Sequence, residues 1–143
     1  MHAIEIIQAT LAPLLLVSST GLLILGLGNR MGRVIDRLRE FSREMRVGVS
    51  EERKEVIMKQ KGVLIMRAKL CRNAMVHFHL TILFAALSSL FTFLATIADF
   101  IQYVSLLFFT LSIVTLIIGA IYAVFEISLS YTAILRESSV YLK

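Results

Sequence analysis

Glu126, Arg30 and Arg33 are the residues whose type and setting most resemble working chemistry, because each lies at the edge of a long tract with no other ionisable group. Charges at the edge of an oil-like region must pair, reach water, or carry ions and protons, since leaving them bare in low dielectric is expensive. His77 and His79 form an HxH element, and histidine is a common metal ligand and pH switch. Two residues apart on a helix, however, the rings point about 200° from one another, with no companion Cys or Asp nearby, so no metal site is expected. Cys71 is the only cysteine, which excludes an intramolecular disulfide or a Cys-based cage; packing is its expected role. No nucleophile stands beside a base, no two carboxylates share a tract, and neither a glycine-rich phosphate loop nor a zinc-protease helix occurs. No catalytic residue, cofactor or metal is expected, and the chain is read as not an enzyme.

The elements that must position these groups are set by where charge is missing. Ile6 to Asn29, Asn73 to Ala98 and Phe100 to Phe125 contain no Asp, Glu, Lys or Arg, and run 24, 26 and 26 residues. About 20 residues of helix cross a hydrocarbon core of roughly 30 Å, so each tract predicts a membrane span, at about 7–29, 74–97 and 103–125. A cleavable signal peptide does not fit the first, because Met1 to Glu5 carries no Lys or Arg and the apolar stretch outruns a signal core. The 57% hydrophobic composition agrees with lipid as the solvent.

The net charge of +5 raises nucleic acid as a partner, but its distribution argues otherwise. Thirteen of the 15 Lys and Arg lie between Arg30 and Arg72 against six acids, so this connector carries +7 and the remainder −2. Cations flanking spans resist translocation, which places the 30–72 connector in the cytoplasm. The N-terminus and the Ala98 to Gln102 turn are then outside and the tail with Arg136 and Lys143 inside, in a multi-pass protein of the inner (plasma) membrane. Arg67, Lys69 and Arg72 are expected to face anionic lipid headgroups.

The connector itself reads as helical. Met31, Val34, Ile35, Leu38, Phe41 and Met45 recur at the spacing of one helix face. The pattern stops at Gly48, which suits a left-handed terminating geometry, and Ser50 before Glu51 and Glu52 reads as the cap of a second helix. The fold class is therefore an all-α membrane protein of three transmembrane helices in a single domain, the first and second extended into a cytoplasmic antiparallel hairpin, with Glu44, Glu51, Glu52 and Glu55 at its tip.

Small and polar residues mark the faces that should meet. Ser112, Thr115, Gly119, Ala123 and Glu126 form one stripe of the third span; Thr81, Ser88 and Thr92 one of the second; Ser18, Gly21, Gly28 and Gly32 one of the first. Counting from Gln102 brings Glu126 to the depth of Arg30, just beyond Asn29, so Glu126 is expected to pair with Arg30, or with Arg33 one turn lower. Three helices cannot cover every stripe, and a homo-oligomer is expected to bury the surplus.

The run Leu11 to Pro13, Ser18, Gly21 to Leu23, Asn29-Arg30 and Arg33-Val34-Ile35-Asp36-Arg37 with Arg39, together with Glu126-Ile127 and Ser130, resembles a prokaryotic membrane family, domain of unknown function 2721. The likeness covers most of the chain apart from Met45 to Glu55. It implies the three-helix plan and draws attention to Asn29, Arg30, Asp36, Arg37 and Glu126, without an activity or cofactor. The expected function is a structural or interaction role, with the hairpin facing a cytoplasmic protein partner; the alternative is a homo-oligomeric ion channel or transport subunit with a Ser/Thr-lined pathway.

Overall fold

The computed structural model describes the backbone of residues 3–98 and 100–141 and most of their side chains up to Tyr131. It is all-helical: α1 spans Ala3–Val47, α2 Glu51–Leu94 and α3 Ile101–Tyr141. All three are long and apolar enough to cross a membrane. Each also runs well past its charge-free tract, α3 included, which continues as helix where the sequence suggested a tail. Arg136 and Lys143 lie outside the described side chains.

The break between α1 and α2 follows from local chemistry. Gly48 has φ +91°, a backbone that a Cβ disfavours, and it ends α1. Ser50 then caps α2, its hydroxyl oxygen accepting the Arg53 amide at 3.4 Å, with Glu51 and Glu52 in the first turn beside the exposed amides. Past that turn Arg53 reaches back to Glu44 on α1, at 3.0 Å. Pro13 sits within α1 without interrupting it.

The middle helix organises the bundle: α2 packs along both α1 and α3, which scarcely touch each other. The buried positions explain how. On α1 they are Pro13, Thr20, Leu27, Val34 and Phe41, every seventh residue. On α2 they are Ile57 and then Cys71, Ala74, Phe78, Thr81, Ala85 and Ser88, the last six at alternating steps of three and four. On α3 they are Ser105, Ser112, Gly119 and Glu126, again sevenfold, with Thr115. A sevenfold repeat is 3.5 residues per turn, slightly tighter than a free helix, and keeps one seam against its neighbour over a long distance. Large apolar side chains point the other way: Leu15, Leu22 and Leu25 on α1 and Leu106, Val124 and Phe125 on α3 are exposed. So many outward apolar groups suit a lipid surround.

One buried group on this seam has no partner. The Thr20 side chain is 0% exposed and its hydroxyl makes no hydrogen bond among the described residues. Thr20→Val removes an unsatisfied donor at nearly constant shape, and is expected to raise bundle stability by up to about 1 kcal/mol in a detergent unfolding titration.

Candidate functional site

Glu126 is 1% exposed, the only carboxylate among the described residues so deeply covered. The sevenfold register of α3 turns it onto α2 together with Gly119 and Ser112, and three other side chains converge on it. Arg67 of α2 donates from Nε at 3.2 Å and from Nη2 at 3.0 Å, both to Oε1. Arg30 of α1 donates from Nη1 to Oε2 at 3.3 Å. Ser130, one turn along α3, places its hydroxyl 2.8 Å from Oε1 and 2.8 Å from the Glu126 carbonyl. A single carboxylate thus ties all three helices.

Two guanidinium groups against one carboxylate leave an excess of one positive charge. The Arg67 side chain is 23% exposed and that of Arg30 is 40% exposed, so the surplus lies on the more open, α1 side. Charge-assisted hydrogen bonds of this kind are the stronger ones, and Arg67 engages through two nitrogens of its planar fork. A carboxylate committed to two cations and a hydroxyl is poorly placed to attack a substrate or collect a proton. What the arrangement can do is hold three helices in one register.

Arg30 and Glu126 are brought together; Arg33 is exposed and takes no part, and Asn29 is exposed beside the cluster without joining it. Arg67, expected at the headgroups, instead turns inward. The physical reason is its register: it precedes Cys71 by four and Ala74 by seven, and so shares the face of the buried line Cys71, Ala74, Phe78 and Thr81. Lys69 and Arg72, two residues and five residues on, do lie exposed. Ser130 completes the site, a helix neighbour of Glu126 at i+4.

Beneath the ionic cluster, close packing and hydroxyl pairs continue the α2–α3 seam. Cys71 is 0% exposed and packs with Leu27, Ala74 and Phe78. His77 stacks on Tyr122 at 5.6 Å between centroids, whereas His79 donates from Nδ1 to the Met75 carbonyl at 2.7 Å, so the two rings serve different neighbours. Among the described residues no three His, Cys, Asp or Glu side chains gather as metal ligands. Thr81 meets Thr115 at 3.0 Å, Ser88 meets Ser105 at 3.3 Å and Thr92 meets Ser105 at 2.6 Å. These hydroxyls, which the channel alternative sets along a pathway, are engaged inside one chain.

The α1 stripe behaves differently. A Cβ added at Gly21, Gly28 or Gly32 would meet nothing within 4 Å, so these glycines face away from α2 and α3.

The fold and site define an all-helical protein with three potential membrane spans, joined by a buried carboxylate and two arginines. The chain belongs to the family described as Protein of unknown function (DUF2721), whose profile matches residues 10–136 and so includes Arg30, Arg67, Glu126 and Ser130. No curated protein and no solved structure matches it.

Proposed function

We propose that the chain is a structural and partner-binding protein of the inner membrane, crossing it three times with the N-terminus outside. In this reading α1 and α2 continue into the cytoplasm as an antiparallel hairpin, and the Glu126 cluster fixes the angle at which it leaves the bundle. The observation that carries the reading is that one saturated carboxylate joins the bases of both hairpin arms to α3. The basic connector supports the orientation.

The hairpin tip supports a protein partner, though not through bare acid groups. Glu44 pairs with Arg53, Glu51 with Lys54 and Glu55 with Lys59, so most of the tip's negative charge is locally balanced. Apolar side chains are open there instead: Val47 is 89% exposed and Met58 58% exposed, beyond the tract that lipid would cover. A photocrosslinker in place of Met58 is expected to give one discrete adduct in cells, and the chain reconstituted in liposomes to pass no ions. Ion flux above the empty-vesicle baseline, abolished by Glu126→Gln, would favour the channel alternative.

The same reading includes a second copy on the outward face of α1, where Ser18, Gly21, Gly28 and Gly32 permit close approach of another helix. Gly21→Leu with Gly28→Leu is expected to leave the helical content and thermal midpoint of the protomer unchanged while converting the detergent-solubilised oligomer to monomer. An unaltered mass would remove α1 from the interface.

A further inference from the structure

Outside the Glu126 cluster, two cations near the end of α2's apolar tract lack a counter-charge. Among the described residues, Lys69 and Arg72 form no ion pair, and Arg72 donates only to the neutral amide oxygen of Asn73, at 3.4 and 3.1 Å. Three residues apart, they share a face of α2. Continuing along that face, a groove of about 430 Å³ opens between α1 and α2, lined by Met31, Arg72, Met75, Val76, Leu80 and Leu83. His79 also borders it, with its ring turned back onto its own helix through the bond to Met75.

The groove is polar at one end only. Arg72 to Leu83 is eleven residues, or about 16 Å of helix, roughly half the thickness of a hydrocarbon core. Two methionines give the walls adaptable, polarisable surface suited to a flexible chain. A ligand filling it therefore needs an anionic head and an apolar tail about one leaflet deep. We infer that the groove holds an anionic glycerophospholipid, its phosphate against Lys69 and Arg72 and one acyl chain along Met31, Met75, Leu80 and Leu83. A zwitterionic lipid would bring its own ammonium toward the same two cations, which is why net negative charge is selected.

The assignment rests on the proposed membrane placement of α2, but not on which leaflet Arg72 occupies. The test is native mass spectrometry of the chain released from vesicles of equal phosphatidylglycerol and phosphatidylcholine, after carbonate extraction has shown it embedded. The wild-type chain is expected to retain phosphatidylglycerol in about five-fold excess. Lys69→Gln with Arg72→Gln brings that ratio near one, while Arg43→Gln with Lys61→Gln, which removes the same charge from exposed hairpin positions, leaves it unchanged. Leu80→Trp, filling the groove with both cations in place, reduces the total lipid retained. An embedded chain with no preference, or equal loss in the two double variants, overturns the groove alone. A chain extracted by carbonate overturns both this inference and the membrane reading beneath it.

Discussion

Glu126→Ala is expected to lower the stability of the helical bundle by about 3 kcal/mol, measured as the shift of an unfolding titration in mixed micelles. Removing one partner of a buried ion pair leaves the other charge unpaired, which typically costs 3–5 kcal/mol; the low end applies because Arg30 is 40% exposed and can turn outward. The arginines should not be equivalent. Arg67 makes two hydrogen bonds and is 23% exposed, whereas Arg30 makes one, at 3.3 Å. Arg67→Gln is thus expected to be clearly more damaging than Arg30→Gln, and Arg67→Lys to recover only part of the loss, since a point charge cannot reproduce the fork. Equal effects of Arg30→Gln and Arg67→Gln would mean that the cluster is not organised as described. Because all these groups share one network, the Glu126→Ala and Arg67→Gln losses should combine to less than their sum.

Gly119→Leu is the second large effect. A Cβ at position 119 would lie 2.7 Å from two ring carbons of Phe78 and 3.3 Å from the Ala74 carbonyl oxygen, and Phe78 is itself 1% exposed with no open side to move into. Even Gly119→Ala should cost about 1–3 kcal/mol by overpacking, with Gly119→Leu at or beyond the upper end. Phe78→Leu removes the obstructing ring edge, so the pair Gly119→Ala with Phe78→Leu is expected to be more stable than the sum of the single losses implies. Gly28→Ala supplies the contrast: nothing lies within 4 Å of its Cβ, and the change should leave the protomer's stability unaltered or slightly raised. A thermal series in which Gly119→Ala and Gly28→Ala behave alike would contradict the packing.

Much of this was legible in residue order, for identifiable reasons. Charge-free tracts mark the three potential spans directly, because an ion is costly to bury in hydrocarbon. Gly48 and Ser50 mark the helix break through local backbone chemistry alone. Matching the depths of Arg30 and Glu126 required only a residue count. Arg67 was harder: it sits close to exposed Lys69 and Arg72, and charge density suggests headgroups for all three. Only its place four residues before Cys71, on the steps of three and four that continue through Ala74 and Phe78, distinguishes it, and that line competes with a helix whose outward face is equally apolar.

A stripe identifies a face but not what covers it, so Thr81, Ser88 and Thr92 read equally well as a pore lining or as a seam. The structure sets them against Thr115 and Ser105. On α1 the same ambiguity runs the other way: Gly21 and Gly28 look like a seam within the chain, yet the buried line is Thr20, Leu27 and Val34. The sevenfold repeat, shared by all three helices, was the signal that separates these cases.

The proposed topology, three crossings with the α1–α2 connection inside, is open to thiol labelling in a Cys71→Ser background. Cys71 is the only cysteine, so the replacement removes the only native thiol. Val47→Cys, at a position 89% exposed beside the turn, is expected to react with a membrane-impermeant maleimide only after the membrane is permeabilised, whereas Gln102→Cys reacts in intact cells. Labelling of position 47 from outside intact cells, with position 102 protected, would contradict it.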